Sequence, residues 1–292
     1  MRLEVLKTYK IFIGGQFPRT ESGRYYSPKG KNGEPLANMC LSSKKDHRNA
    51  VVAARKAFGS WSERAAFNRG QILYRIAEML EGRKAQFIEE LERQGSSTNI
   101  AKVEVELAID RCVYYAGWCD KFQQVFSAVN PVASSHFNFT ALEPMGVVGL
   151  IAPPSSSLIG LVSVILPVIA GGNTCVVLAS EEKPLCAITF AEVLATSDLP
   201  GGVVNILTGS EKELVDSFHS HMDINAVLYA GESSEHKKKI EAGASCNIKR
   251  VVNYVQTFQK QGEESPYFIT DFQEQKTTWH PIEHVGGATS NY

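Results

Sequence analysis

Three features of residues 145–209 predict an α/β fold: a doubly wound, mainly parallel sheet. The stretch reads MGVVGLIAPPSSSLIGLVSVILPVIAGGNTCVVLASEEKPLCAITFAEVLATSDLPGGVVNILTG. Its short strands, 147–152, 174–178 and 203–207, are apolar throughout instead of alternating, which suits strands covered on both faces. Runs of helical length, 158–170 and 184–196, stand between them. The connecting loops are short, and Gly171-Gly172 ends the first helix as glycine does at a left-handed cap. Successive β-α-β units of this kind wind a parallel sheet with helices on both sides.

Upstream of this core, residues 1–40 predict a strand pair, with a tight turn at Gly14-Gly15 between Ile11-Phe12-Ile13 and Phe17. Asp46 is the expected N-cap of a helix through Ala57, and Trp61 the buried anchor after it. Residues 68–94 predict one long helix. Ile72, Ile76, Met79 and Leu80 share a face, then Phe87, Ile88 and Leu91, and Gly95 ends it. A third helix is expected over 100–125, through Val103, Leu107, Val113 and Trp118. These helices are expected to cover one face of the sheet. Residues 126–143 change character: little charge, Pro131, and alternation from His136 to Leu142. After Gly209 the pattern predicts a helix (211–218), a strand (225–229), a helix (233–244) and a strand (249–255). Residues 259–275 are polar, Thr277-Thr278-Trp279 suggests a closing strand, and 286–292 reads as a loose end.

Composition narrows the function. The 292 residues are 43% hydrophobic with a net charge of -1, enough core for a large domain and no basic excess for nucleic acid. The one dense cationic cluster, His236 to Lys239, reads as a solvated helix face. The longest apolar run, 158–172, is shorter than a membrane span and contains Pro167. No signal-peptide pattern opens the chain. Six cysteines without a CxxC pair predict reduced, buried thiols and no metal site. A soluble, cytoplasmic protein that binds neither membrane nor nucleic acid is the expectation.

The motifs EPMGVVGLIAPP, PVIAGGNTCVVL and LPGGVVNILTG, in this order, resemble the cofactor-binding half of the NAD(P)-dependent aldehyde dehydrogenase superfamily. IFIGGQFPRTESGRYYSP, AVVAARKAFGSW, YYAGWCDKF, HFNFTALEP and INAVLYAGESSEHKKKIEAGASCNIKRVVNY extend the resemblance over about residues 11–255. It implies a coenzyme-domain-like unit at 1–255, interrupted at 126–143 by a bridging oligomerisation arm, and a tail at 256–292. An alternating strand on such an arm has open edges. It is expected to find a partner, in trans or in the chain's own tail.

Carried over residue by residue, the resemblance implies a site that has lost its chemistry. Ser155 stands where the family has its oxyanion-hole asparagine, within Pro153-Pro154-Ser155-Ser156-Ser157. Those serines are expected to cap the following helix. Leu178 replaces a ribose-binding lysine, and Glu181 matches the second ribose ligand. The phosphate-facing turn reads Tyr229-Ala230-Gly231-Glu232. Glu232 is expected to satisfy the helix N-terminal donors and repel an anion. Tyr254 stands at the general-base glutamate, and a phenol is a poor base at neutral pH. No cysteine follows Cys246, which is expected to be structural and not the thiolate nucleophile of the family. Ser155, Leu178, Glu181, Gly231 and Glu232 are thus vestigial cofactor positions, with no catalytic residue and no cofactor expected.

Two further patterns are weaker. His280-Pro281-Ile282-Glu283-His284 has a zinc-peptidase spacing but no helical context, and His219-x-His221 reads as surface. The expected function is that of a pseudoenzyme resembling the second copy of two-copy aldehyde dehydrogenases, assembling with itself or with a full-length aldehyde dehydrogenase. The alternatives are a working NAD(P)-dependent aldehyde oxidoreductase, or a subunit completing one, and a truncated product without a role.

Overall fold

The computed structural model describes residues 5–256 and 258–282. It opens with β1 (Thr8–Tyr9), β2 (Tyr25–Tyr26) and β3 (Asn38–Cys40), a small sheet in the order β1-β3-β2. Helices α1 (Lys44–Ser62), α2 (Ala66–Gly82), α3 (Lys84–Arg93), α4 (Thr98–Trp118) and the short α5 (Phe122–Phe126) follow. Strands β4 (Ala128–Asn130) and β5 (His136–Pro144) form the arm. The alternating core is β6 (Val147–Ile151), α6 (Ile159–Ala170), β7 (Thr174–Leu178), α7 (Leu185–Ala195), β8 (Val204–Leu207), α8 (Glu211–Ser220), β9 (Ala226–Tyr229), α9 (Ser234–Ala244) and β10 (Arg250–Asn253). The tail adds α10 (Tyr267–Thr270) and β11 (Gln273–Pro281).

The core strands form one parallel sheet in the order β10-β9-β6-β7-β8. Both of its faces are buried, as the continuous apolar strands require. Along β6, Val147 and Ile151 pack with Ala50 and Val51 of α1, Phe218 of α8 and Ile240 of α9. Val148 and Leu150 turn to the opposite side, with α6 and α7. Gly149 is needed where α8 comes closest, since a Cβ there would lie 2.7 Å from the Phe218 ring.

Several local expectations change. Ser43, not Asp46, is the N-cap of α1; Asp46 is the third helical residue and completes the capping box from inside. The predicted 68–94 helix is two helices, because Arg83 leaves helical geometry after Gly82 and its guanidinium reaches Glu192 at 2.8 Å. The predicted 100–125 helix stops at Trp118, and a turn brings Phe122 into the core. Ile11-Phe12-Ile13 pairs as expected with the residues after Gly14-Gly15: Ile13 and Gln16 exchange two backbone bonds at 3.0 Å, and Ile11 N donates to Pro18 O at 3.2 Å. Phe12, between them, also exchanges two backbone bonds with Ile206 at the edge of the main sheet. The Gly14-Gly15 turn forms as expected, both residues having positive φ. Of the first four helices α1 packs on the sheet, whereas α2, α3 and α4 form a further layer outside α6 and α7. Five cysteines are buried free thiols, but Cys246 is exposed. Among the described residues no helix is long and apolar enough to cross a membrane.

The outer layer is fastened to the core through helix ends. α6 is buried along all of its length, so its unpaired N-terminal N–H and C-terminal C=O groups must find protein partners. At its N-terminus, Glu104 of α4 accepts from Leu158 N at 3.0 Å and Ile159 N at 3.2 Å, and Ser156 Oγ accepts from Gly160 N at 2.8 Å. At its C-terminus, Trp61 Nε1 donates to Ile169 O, Arg69 Nε to Ala170 O and Gln273 Nε2 to Gly171 O. α7 is treated the same way, with Gln94 Oε1 accepting from Leu185 N at 3.0 Å.

Glu104→Ala is expected to lose about 1–3 kcal/mol of unfolding free energy, because two buried amides lose their acceptor. Glu104→Gln, which keeps that acceptor, is expected to lose less than half as much in the same urea titration. An alanine variant as stable as the parent would contradict the cap. A second expectation concerns acid. His47 is buried against Phe218 with neither ring nitrogen partnered, and burial, helped by His221, lowers its pKa to about 3 from 6.5. Between those pH values the unfolded chain binds the extra proton. Stability is therefore complete above about pH 6.5 and falls by up to about 1.4 kcal/mol per pH unit as acid is added. His47→Leu is expected to flatten this slope in thermal melts taken from pH 7 to pH 4; an unchanged slope would reject the assignment.

Candidate functional site

All five core strands point their carboxyl ends at one edge. The winding reverses between β6 and β9, because β7 and β8 lie on one side and β9 and β10 on the other. Ligands of such sheets bind in the crevice outside that switch point. Two clefts open there. One of about 340 Å³ is lined by Ser155, Tyr229, Gly231, Glu232, Lys237 and Tyr254, among others. The other, of about 300 Å³, is lined by Leu178, Glu181, Gly209 and Glu211 with neighbouring backbone. The sequence-derived positions therefore do converge on one edge.

Their chemistry is mostly turned inward. The Ser155 carbonyl accepts from Lys183 Nζ at 2.9 Å, and Ser156, its neighbour, does the capping. Leu178 is buried and offers no polar group. Glu181 Oε2 accepts from the first amide of α8, Glu211 N, at 3.3 Å. Tyr254 is buried, donates to Asp271 Oδ2 at 2.7 Å, and packs against Phe258 and Phe268. Burial, then the Asp271 charge, push its phenol far above the usual range, so it stays protonated.

A cluster that the sequence reading missed closes the end of α9. Tyr229 Oη donates to Glu211 Oε1 at 2.8 Å, and His236 Nδ1 meets the same oxygen at 2.6 Å. Ser233 N donates to Tyr229 Oη at 3.0 Å, while Ser233 Oγ accepts from His236 N at 3.2 Å. Burial, then the Glu211 bond, raise the Tyr229 pKa and keep its hydroxyl a donor. Gly231 has room only for hydrogen here, since a Cβ would lie 2.6 Å from the Tyr229 ring.

Two expectations are corrected by this cluster. Glu232 is exposed and caps nothing among the described residues; Ser233 is the N-cap, and Tyr229 takes its amide. His236 is not part of a solvated face but is turned in to Glu211. Of the histidine pair, His221 lies 5.9 Å from the buried His47 ring. His280 and Pro281 lie in a strand, which removes the helical geometry of the zinc-like spacing; Glu283 and His284 lie outside the described residues. No group of metal-ligating side chains occurs among the described residues. The missed cluster did leave a faint signal: a carboxylate in the first turn of one helix and a histidine in the first turn of the next, both at the same sheet edge.

Comparison with known proteins agrees with this frame. A sequence model of the aldehyde dehydrogenase family matches residues 18–254. Cytosolic 10-formyltetrahydrofolate dehydrogenase of Mus musculus is 32% identical over 256 residues, 86% of this chain and 28% of that protein. An aldehyde dehydrogenase of Aspergillus niger is 33% identical over 245 residues, 82% of this chain and 48% of its own. The aldehyde dehydrogenase of Bacillus cereus, solved as an NAD+ complex, superposes with a TM-score of 0.80 at 27% identity, covering 85% of this chain and 50% of that one. The chain thus spans half or less of the length of these relatives. Family match, identity and fold agree: the chain belongs to the aldehyde dehydrogenase family.

Proposed function

We propose that this chain is a family member that does not turn over aldehydes by itself and serves as an assembly subunit, joining a second copy or a full-length aldehyde dehydrogenase through its arm. The observation that carries the reading is the Tyr229–Glu211–His236 cluster, which ties α8 to α9 across the dinucleotide edge. The residues present fit a dinucleotide poorly. Phosphate at such an edge is held by free helix amides and favourable charge. Here the Ser233 and His236 amides are already bonded, and Glu181, Glu211 and Glu232 bring negative charge to the rim. Leu178 cannot hydrogen-bond a ribose.

Thioester chemistry needs an accessible thiolate beside a base. Burial pushes the Cys112 and Cys119 thiols up to about 12. Cys246 is exposed but has no side-chain partner among the described residues. The arm, in contrast, is built to present surface: β5 is flanked by β4 and β11, with Val129 and Phe137 exposed. A second reading, an NAD(P)-dependent oxidoreductase or a subunit completing one, is favoured by the remaining 340 Å³ cleft and by the NAD+ complex of the Bacillus cereus relative.

Light scattering is expected to show at least two chains for the purified chain alone, or its mass added to a full-length aldehyde dehydrogenase mixed with it, and the chain alone is expected to form no NADH from short aliphatic or aromatic aldehydes. A monomer in both mixtures, or aldehyde-dependent NADH from the chain alone, would overturn the proposal.

A further inference from the structure

The outer edge of β11 has no strand beside it among the described residues. One bond tells which of its backbone groups face outward. Ile282 N donates to Ser135 O at 3.0 Å, continuing the β11–β5 register of Gln273↔Pro144 through Pro281↔His136. In an antiparallel pair the N–H and C=O of one residue point the same way, and successive residues alternate. Residues 274, 276, 278 and 280 therefore bond to β5. Gln273, Gln275, Thr277 and Trp279 turn their groups out. Gln273 is only 3% exposed, so the body covers it, and Pro281 has no N–H to extend the row. What remains open is Gln275, Thr277 and Trp279, the last 57% exposed. The other edge strand, β4, has only three residues, Ala128 to Asn130.

We propose that this edge takes the same edge of a second copy, antiparallel about a two-fold axis at Thr277, so that two arms merge into one six-stranded sheet. The inference rests on the arm being the assembly device, and it names the partner and the register. The outward groups allow few two-fold registers. An axis at Gln275 needs the covered side of Gln273. One at Lys276 sets two lysines directly opposite, which is destabilising. One at Thr278 sets Lys276 against His280 and runs the ladder into Pro281. The axis at Thr277 pairs Gln275 with Trp279 on both sides of a Thr277–Thr277 pair. That engages all the open N–H and C=O groups of both strands. It also places Glu274, already bonded to Arg250 at 3.1 Å, opposite His280 of the other copy, twice over. No like charges meet. The reciprocity of that Glu274–His280 contact is what selects a second copy over an unrelated strand.

The test is cysteine cross-linking of the full chain with its exposed thiol removed by Cys246→Ser. Directly opposite residues in a hydrogen-bonded pair have Cα atoms about 5.5 Å apart, within disulfide reach. Under mild oxidation Thr277→Cys is expected to give a covalent dimer on non-reducing gels. Gln275→Cys and Trp279→Cys are each expected to do so at least tenfold less, and to cross-link with one another when mixed. Light scattering runs alongside. A chain that stays oligomeric but cross-links no better at 277 than at 279 would overturn this register and leave the assembly reading standing. A monomer at every concentration would overturn this inference, and the assembly reading falls with it only where the chain also stays apart from a full-length aldehyde dehydrogenase.

Discussion

A parallel sheet collects the N-termini of its crossover helices at one edge, and each brings amide N–H groups that have no partner inside the helix. Something must accept from them. In this chain the acceptors are its own side chains: Glu104 and Ser156 for α6, Gln94 for α7, Glu181 for α8, Ser233 and Tyr229 for α9. An anionic ligand could satisfy the same donors, as phosphate does in other proteins of this topology. It would have to displace bonds that now stabilise the fold. Glu104 and Gln94 also come from the outer helical layer, so the caps hold two layers together as well as closing the edge.

The core depends on the tail in the same way. Phe258, Ile269 and Phe272 are buried, and Phe272 O accepts from the buried Asn173 side chain at 2.9 Å. Arg111, itself buried, bonds Ser163 at 2.7 Å and Glu264 at 3.1 Å, tying α4 to α6 and to the tail. Tyr254 and Asp271 add a further bond, between the end of β10 and the tail. The tail then runs into β11 and lies along β5, so β5 is paired on both of its edges. The open edge is passed outward to β11, where charged residues and Pro281 limit how another strand can join.

The central strands were legible because they are continuous apolar runs of strand length between glycine and proline signals, as in 174–178, which matches β7 from end to end. Helix existence was legible too, but not helix breaks. Arg83 and the turn after Trp118 interrupt apolar patterns that continue in phase on either side, so periodicity alone does not reveal them. The five positions Ser155, Leu178, Glu181, Gly231 and Glu232 could be placed at one edge through the resemblance, since they flank strand ends. Their replacements could not. Glu104 reaches α6 from 54 residues away, and Tyr229 at the end of β9 meets Glu211 at the start of α8. Such side-chain reach has no periodic signature, and Glu232, the obvious first-turn carboxylate, proved to face water.

The claim that most of this account depends on is that the dinucleotide edge is already satisfied from within. Isothermal calorimetry of NAD+ against the purified chain tests it most directly, with the Glu211→Gly, Tyr229→Phe double variant run beside it. The account predicts no saturable heat for the parent chain up to millimolar NAD+, and any gain of binding only in the variant. Saturable binding by the parent chain with a dissociation constant in the micromolar range would contradict it.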